Sequence, residues 1–361
     1  MPEREEIAVQ KNKAGKAFGT TVGRAVLTVF LSILMFAIFL LGVMVVLCHG
    51  PSENARNLFV MSTNETSAIK FLPRLVMKGE DVDAILHPTP AAEEPAEKDD
   101  FVELSFEDGS SAEEPQAGQV VVSDDPSAQS GEWLEILDIK GATYKGKMML
   151  VHDPSKVIVA TLDYYPSPVG LYLTEFIDKY NAIGGTNAGG FYDPNGGGTG
   201  GTPEYDGIVI RDGNIAWGSA GGSYINVIGF DADHILHVGD MTGQEAIDLG
   251  LQTAVSFSAG PVLVKDGVMQ TGLGGGVNPR TCLGQTADGT VIMLVLEGRK
   301  PDSLGATYDD IAEIMYEYGA VNAANLDGGS SSLMYYNGEQ ITRGSNLIGK
   351  RPVPTAILVL N

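Results

Sequence analysis

Hydrophobic and polar residues are distributed unevenly along the 361 residues of the chain. Residues 25–48 carry no charge and are almost entirely apolar, and residues 93–125 are rich in acids. From residue 131 onward, short apolar runs alternate with segments that contain Gly and Asp. The pattern predicts a cytoplasmic tail at 1–24, a transmembrane helix at 25–48, a juxtamembrane segment with an acidic linker at 49–130, and one folded domain at 131–361.

The folded domain is predicted to consist mainly of β-strands. The runs WLEILDI, KMMLVHD and KVIVATLDY are short and rich in residues that favour strands. Further pairs of apolar runs flank Asp-Gly or Asn-Gly dipeptides, which are typical of hairpin turns. We therefore predict hairpins with turns at 212–213, 266–267, 288–289 and 337–338.

Two segments show helical periodicity. GLYLTEFIDKYNAIGG places four apolar residues on one stripe and predicts a helix that ends at Gly184. TYDDIAEIMYEYG predicts a helix with Thr307 as N-cap, Asp310 three residues later, and Gly319 after its end. The predicted fold class is α+β: a sheet-rich mixed domain with a few helices, preceded by a single transmembrane helix and a disordered acidic stalk.

The apolar run at 25–48 is long enough to cross a bilayer, since it reaches about 35 Å at about 1.5 Å per residue. Three lysines and Arg24 precede it. The positive-inside rule then predicts a single-pass cell-membrane protein with its N-terminus in the cytoplasm and its folded domain outside. We prefer an uncleaved anchor to a cleaved signal peptide, because the run exceeds the usual h-region of about 7–15 residues and no clear A-x-A site follows.

Composition limits the partners of the protein. A net charge of -23 argues against binding to nucleic acid. Twelve acids and a single base lie within residues 93–125, mixed with Pro, Ala, Gly and Ser, which is typical of a self-repelling stalk that cannot bury enough apolar surface to fold. The chain has two cysteines, one of them at the membrane boundary, so no internal disulfide is predicted.

The Gly-rich segment at 184–207 partly matches a calcium-binding loop. Asp193, Asn195, Gly198 and Glu204 fall at positions 1, 3, 6 and 12 of that pattern, but Gly197 stands where a ligand is required, and flanking helices are missing. We therefore predict no metal site and no cofactor, with calcium as the alternative that this loop leaves open.

The same segment is predicted to be functional for another reason. Its glycines imply close backbone approach or positive φ, and loops of this length often carry function. We expect Asn187, Phe191 and Asp193 to be displayed on a mobile rim, next to Gly189 and Gly190.

Charged residues stand at the ends of several apolar runs. Asp327 ends AVNAANLDGG, Glu297 and Arg299 end TVIMLVLEGR, and Arg280 begins the arm of the preceding hairpin, NPRTCLG. Each one alone is compatible with a solvent-exposed strand end, but their shared placement beside glycines predicts one cleft. Arginine binds phosphate or carboxylate through two parallel hydrogen bonds, and the Gly and Ser residues at 328–331 can donate backbone N–H and hydroxyl groups to an anion. Acids combined with arginines suit hydrolysis at a sugar carbon that bears a phosphate.

Five segments carry a resemblance to a known family: TNAGGFYD, SFSAGPVLVKDG, NPRTCLGQTADGTVIMLVLEGR, GATYDDIAEIMYEYGAVNAANLDGGSSSLMY and RPVPTAILVL. They occur in the order seen in the phosphodiester glycosidase family, and the chain resembles a bacterial, membrane-anchored member over roughly residues 150–361. The family often has Asp where this chain has Glu297, and Gly where it has Ser330. Neither change removes a charge.

The resemblance implies hydrolysis of a sugar-1-phosphodiester of the GlcNAc-1-phosphate type, in envelope or exogenous glycans. A phosphate leaving group is already a stable anion, so its protonation matters less than in an ordinary glycoside. We predict that Asp327 is the carboxylate that stabilises or attacks the sugar carbon or activates water, with Glu297 or Asp193 as its partner. Arg280 would hold the phosphate. The other predicted substrate-binding residues are Asn187, Ser330 and Ser331, which would orient sugar hydroxyls, together with Gly189, Gly190, Phe191, Arg299, Gly328 and Gly329.

Two other interpretations stay open. In the first, the protein binds an anionic glycan without turnover and serves exopolysaccharide assembly or export. In the second, the Gly-rich loops only connect strands. Convergence of Asn187, Arg280, Glu297 and Asp327 on one cleft would separate a functional site from a purely structural arrangement.

Overall fold

The computed structural model describes residues 2–66, 69–87, 133–194, 197–345 and 350–361. The predicted acidic stalk at 93–125 lies outside the described residues. The α-helices within them are α1 (Pro2–His49), α2 (Glu53–Asn64), α3 (Gly79–Leu86), α4 (Leu173–Tyr180), α5 (Gly243–Asp248) and α6 (Tyr308–Glu317).

Strands dominate the chain from residue 134 onward, as the sequence predicted. They are β1 (Leu134–Lys140), β2 (Lys145–Val151), β3 (Val157–Thr161), β4 (Ala182–Asn187), β5 (Val209–Arg211), β6 (Asn214–Trp217), β7 (Ser223–Phe230), β8 (Leu236–Thr242), β9 (Thr253–Ser256), β10 (Val262–Lys265), β11 (Val268–Met269), β12 (Arg280–Thr286), β13 (Val291–Leu296), β14 (Ala320–Asn325), β15 (Met334–Tyr336), β16 (Glu339–Gln340) and β17 (Thr355–Leu360). The mixed, sheet-rich α+β fold is confirmed.

The strands form three antiparallel sheets. Sheet A has the order β1-β2-β13-β12-β14-β10-β11, sheet B has the order β16-β15-β4-β17-β3, and sheet C has the order β6-β5-β9-β7-β8. All four predicted hairpins form, with the turns at β5–β6, β10–β11, β12–β13 and β15–β16. Three of the turns contain a non-Gly residue at positive φ followed by Gly, which matches the right-handed twist of the flanking strands.

One apolar core joins the three sheets. It contains side chains from sheet A (Met149, Leu283), sheet B (Ile357) and sheet C (Ile228, Val255), all almost completely buried. Helix α6 covers the other face of sheet A with the stripe Ile311, Ile314 and Met315. Its predicted cap is confirmed, since Thr307 Oγ1 accepts the Asp310 N–H and the Asp310 carboxylate accepts the Thr307 N–H.

The prediction for the end of α4 is wrong. The helix stops at Tyr180, because Asn181 adopts the left-handed conformation, and the chain enters β4 at once. Gly184 and Gly185 lie between β15 and β17, where a Cβ would meet the carbonyl oxygens of Tyr335 and Ile357. These glycines therefore serve close strand packing rather than helix termination.

Helix α1 contains the apolar run. Within the described residues, Arg24–His49 is the stretch that is long and apolar enough to cross a membrane. The end of α1 packs with α2, α3 and the short 3-10 helix Pro73–Leu75 through an apolar cluster of Met44, Cys48, Val60, Met77 and Val82. The segment around residues 59–86, to which the sequence assigned no structure, is thus a compact helical unit beside the apolar helix.

Candidate active site

The ends of three strands meet at one edge of sheet A. The antiparallel register pairs Arg280 with Leu296 and Cys282 with Asn325. The start of β12 and the ends of β13 and β14 are therefore neighbours. Asp327 follows β14 directly, and its N–H donates to the carbonyl of Ala188, which follows β4 of sheet B. The site thus lies where sheets A and B meet.

Asp327 is the most perturbed carboxyl group at this edge. Its Oδ2 is buried, and no group in the described residues hydrogen-bonds to it. Burial raises the pKa of Asp327 to about 7. A hydrogen bond from Ser331 and the positive charge of Arg351 lower the pKa in part, whereas the charges of Glu204 and Asp193 raise it further. A carboxyl group that is half ionised at neutral pH suits proton transfer or nucleophilic attack.

Asn187 holds the Asp327 loop in place. Its Nδ2 donates to the backbone carbonyl of Asp327 at 2.6 Å, and its Oδ1 accepts from the Thr281 hydroxyl at 3.1 Å. The side chain is almost fully buried, at 2% exposure. The expectation that Asn187 is displayed on a rim is therefore wrong, and the geometry favours positioning of Asp327 over direct contact with sugar hydroxyls.

Two acidic residues, Glu204 and Asp193, lie close enough to Asp327 for their charges to raise its pKa. Both oxygens of Glu204 accept hydrogen bonds from Ser258, through its N–H and its hydroxyl, each at 3.0 Å. Burial raises the pKa of Glu204 in spite of these bonds. Asp193 pairs with Arg351 at 2.9 Å, and the Arg351 guanidinium lies 4.6 Å from the centre of the Phe191 ring.

A cleft of about 280 Å³ adjoins these acidic residues. Its wall includes the exposed Tyr192 and Tyr205, whose ring centres are 4.5 Å apart, and its other side chains include Asp193, Glu204 and Ser258. Aromatic faces beside carboxylates form an amphipathic surface of the size of a small ring.

A basic cluster borders the loop that follows Asp327, and we call Gly276, Asn278, Arg280 and Arg299 the anion pocket. Arg280 is only 3% exposed, stacks 3.9 Å from the centre of the Tyr308 ring, and donates to the carbonyls of Ala306 and Gly276. Arg299 donates to Asn278 Oδ1 at 3.1 Å and approaches Ser330 Oγ at 3.5 Å. Burial lowers the pKa of Arg299, and the nearby charge of Glu65 opposes that shift.

Glu65, from the chain just after α2, lies in this anion pocket. Its carboxylate accepts from the Gly276 N–H at 2.6 Å and from Asn278 Nδ2 at 3.0 Å, and it pairs with Arg280 Nη1 at 2.8 Å. The pocket is therefore built to hold an anion through backbone, amide and guanidinium donors at once.

Glu297 is not joined to Asp327 by any contact in the described part of the chain. Its oxygens accept from Arg343, from the backbone N–H at 2.7 Å and from Nε at 2.6 Å. With only 8% of its surface exposed, Glu297 has a partner for both oxygens. Glu297 therefore fixes the segment around Arg343. Of the two predicted partner carboxylates, Asp193 is the one whose charge acts on Asp327.

The remaining predicted residues shape the loops around Asp327. Gly328 and Gly329 run close to Pro279, whose carbonyl accepts the Gly329 N–H at 2.9 Å, and Gly329 has a positive φ of 60°. A side chain on Gly190 would come within 2.5 Å of the Glu204 carboxyl group. The Gly189 N–H donates to Thr355 Oγ1 at 3.0 Å. Phe191 is buried, contrary to its expected display on the rim.

Two carboxylates of the calcium-like pattern already accept hydrogen bonds from other residues of the chain. Asp193 Oδ1 accepts the Gly198 N–H at 2.6 Å, and Glu204 is bonded by Ser258. Asn195 lies outside the described residues. Among those that the structure describes, no group of three or more His, Cys, Asp or Glu could hold a metal ion.

Sequence reasoning missed five residues of the site: Glu65, Asn278, Glu204, Arg343 and Arg351. Asn278 and Arg351 lie inside the motifs NPR and RPVPTAILVL, so their position in those segments could have indicated them. Glu204 was noted only as a position in the calcium-like pattern. Glu65 and Arg343 carry no local signal, because their partners Arg280 and Glu297 are distant in sequence.

Comparisons with known proteins bear on the family and the fold of the chain. The profile of the phosphodiester glycosidase family matches residues 180–360. The SPbeta prophage-derived uncharacterized protein YomE of Bacillus subtilis (strain 168) is 36% identical over 78 residues, which are 22% of this chain and 12% of that protein. The chain thus spans about an eighth of the length of this curated relative.

A solved structure shares the fold. The catalytic domain of zebrafish N-acetylglucosamine-1-phosphodiester alpha-N-acetylglucosaminidase, auto-inhibited by its pro-peptide, superposes with a TM-score of 0.50 and 20% identity. The match covers 68% of this chain and 88% of the zebrafish chain. Because the family profile covers half of the chain and ends one residue before its last, the protein belongs to the phosphodiester glycosidase family.

Proposed function

We propose that this protein hydrolyses a sugar-1-phosphodiester, with Asp327 acting at the glycosidic carbon. The observation that carries the proposal is the buried Asp327 Oδ2, which has no hydrogen-bond partner in the described residues, on a carboxyl group whose charge interacts with Glu204 and Asp193 and with Arg299 of the anion pocket. Membership of a glycosidase family supports the reaction class. The substrate class, GlcNAc-1-phosphate-type diesters in envelope or exogenous glycans, is part of the proposal.

Two groups of residues around Asp327, the acidic cleft and the anion pocket, match the two halves of such a substrate. In our proposal the phosphate enters the anion pocket, where Arg280 and Arg299 neutralise the charge that grows on the leaving group. The sugar lies toward Tyr192 and Tyr205, where aromatic faces can cover its apolar face. Asp327 is then placed at the bond between sugar and phosphate.

Each carboxyl group has a defined task in this proposal. Asp327 acts in its ionised form, as the nucleophile or as the base that activates water. Glu204 and Asp193 are the candidate partner carboxylates, because their charges act on Asp327. The phosphate leaves as a stable anion, so the reaction does not depend on a strong general acid. Asn187 keeps the Asp327 backbone fixed during these steps.

The test is sugar release by the full-length, detergent-solubilised chain from a panel of GlcNAc-1-phosphodiesters and wall polymers. We expect the wild type to release sugar. Asp327→Asn should lower the rate of release by about 10³-fold or more, because it removes the proposed catalytic carboxylate. Asp302→Asn, at an exposed carboxylate that belongs to the Lys145 and Arg343 ion pairs, serves as the matched control. Saturable binding without release, on every substrate tested, would refute hydrolysis and favour the glycan-binding alternative.

We also propose that residues 25–48, within the apolar stretch Arg24–His49, anchor the protein in the cell membrane, with residues 1–24 in the cytoplasm and the domain from residue 131 outside. The apolar, unburied surface of this helix and the basic residues that precede it support the assignment. Protease added to intact cells should digest the folded domain and leave the N-terminal tail protected. Protection of the folded domain in intact cells would contradict this orientation.

A further inference from the structure

Helix α2 brings a carboxylate into the anion pocket, although the helix belongs to the membrane-proximal unit and not to the sheet domain. Glu65 and Arg280 are 215 residues apart in sequence, and their atoms are 2.8 Å apart. The Arg280 side chain is 3% exposed and that of Glu65 is 24% exposed. The ion pair is therefore largely withdrawn from solvent, where its electrostatic contribution exceeds that of a surface pair.

The contact is more than a single ion pair. Oε1 of Glu65 accepts the Gly276 N–H, and Oε2 faces both Asn278 Nδ2 and Arg280 Nη1. One turn earlier, Ser62 Oγ accepts the Val277 N–H at 2.9 Å. The end of α2 thus satisfies donors of the 276–280 segment in the way that a bound anion would.

The pocket can hold only one anion at these donors. An incoming phosphate oxygen would need the same Gly276 N–H and the same face of Arg280 that Glu65 occupies. Two negative groups at this distance would repel each other, and a buried carboxylate without its arginine would be costly. Occupation by Glu65 and occupation by phosphate are therefore mutually exclusive.

We propose that Glu65 is an intramolecular ligand of the anion pocket, so that the end of α2 must leave before a substrate phosphate can enter. The proposal rests on the proposed function, because that function assigns the pocket to the phosphate. The apolar cluster around Val60 and Met77 ties α2 to the end of α1. Access to the site is then linked to the packing of the membrane-proximal unit, and the closed form described here is the low-affinity form.

Population arithmetic gives the expected effect. If the pocket is open in about a tenth of the molecules, the apparent affinity for an anion falls about tenfold below its intrinsic value. Replacing Glu65 by the isosteric Gln removes the competing charge and keeps the shape of the side chain. On that arithmetic the Glu65→Gln variant should bind anions up to about tenfold more tightly than the wild type.

The experiment titrates the full-length, detergent-solubilised protein with inorganic phosphate at constant ionic strength, by calorimetry. Acetate in a parallel titration distinguishes a site selective for phosphate from one that takes any small carboxylate. The matched control is Glu53→Gln, since Glu53 is an exposed carboxylate at the start of the same helix. Tighter phosphate binding by Glu65→Gln alone supports the proposal. Equal or weaker binding by Glu65→Gln, or no binding by it, overturns the proposal.

A second measurement needs no variant and no turnover. Saturating phosphate should increase hydrogen–deuterium exchange of the backbone amides of α2 in the wild-type protein, because the helix loses its contacts with Gly276 and Val277. Unchanged exchange in α2 at concentrations where phosphate binds would overturn the proposal. Hydrolysis plays no part in either readout, so failure of the proposed function would appear separately, as phosphate binding without sugar release.

Discussion

Replacing Asp327 by Asn should stabilise the folded domain at alkaline pH. The carboxyl group has a buried Oδ2 without a partner in the described residues, and its pKa is raised to about 7. An aspartate in an unfolded chain titrates near about 3.9. Because the folded pKa is the higher one, the folded state has its full stability below about pH 4 and loses stability as the pH rises to about 7.

The size of this effect follows from the shift of about three pKa units, at about 1.36 kcal/mol each. Above pH 8 the ionised Asp327 therefore costs the folded state about 4 kcal/mol. At pH 5 the folded state still keeps its proton while the unfolded state has mostly lost it, so the cost is about 1.5 kcal/mol. The stability difference between Asp327→Asn and the wild type should thus grow by about 2.5 kcal/mol from pH 5 to pH 8.5.

Urea unfolding followed by tryptophan fluorescence measures this difference, since both tryptophans of the chain, Trp133 and Trp217, lie in the sheet domain. Asp302→Asn is the control. Its ion pairs with Arg343 and Lys145 lower the pKa of Asp302 to about 2, so this exposed group does not titrate between pH 5 and pH 8.5 in either state. A difference for Asp327→Asn that stays constant across this pH range would refute the reasoning.

Three further predictions concern the neighbours of the site. Arg343→Ala leaves the buried Glu297 carboxylate without its partner and should lower the free energy of unfolding by about 3 kcal/mol. Glu297→Gln should lower it by less in the same urea assay, and an equal loss for both variants would contradict this. Thr307→Ala removes the N-cap of α6 and should cost about 1 kcal/mol by urea unfolding. Glu204→Gln removes a negative charge that raises the pKa of Asp327, so the rise of sugar release with pH should move to lower pH; a midpoint that stays in place or moves up would contradict the coupling.

Local signals allowed much of the fold to be predicted from the sequence. The cap of α6 and the turn at 337–338 depend on residues within a few positions of one another, and both formed as expected. The end of α4 was wrong because Gly184 has a long-range role between β15 and β17 that outweighs its usual role after a helix. Asn181, a residue that tolerates the left-handed conformation, ends the helix instead.

The candidate site was predictable only in part, for the same reason. Asp327, Arg280 and Arg299 stand at strand ends, and alternation of apolar and polar residues locates those ends. The partners of these residues come from elsewhere in the chain: Asn187 bonds to Asp327 across 140 residues and Glu65 to Arg280 across 215. Such pairings depend on which sheets and helices pack together, and no periodicity within one segment encodes that.

Mostly different residues bind the phosphate and set the ionisation of Asp327 in the proposed reaction. Among the described residues, Glu65 is the carboxylate that pairs with Arg280, so in the proposed reaction the positive charge of the pocket is balanced either by Glu65 or by the substrate phosphate. The charge near the pocket is therefore similar in both states. The ionisation of Asp327, in contrast, depends on burial, Ser331, Arg351, Glu204 and Asp193. The two sets of groups are nevertheless coupled, because the charge of Asp327 also acts on Arg299 of the anion pocket and opposes the lowering of the pKa of that guanidinium by burial.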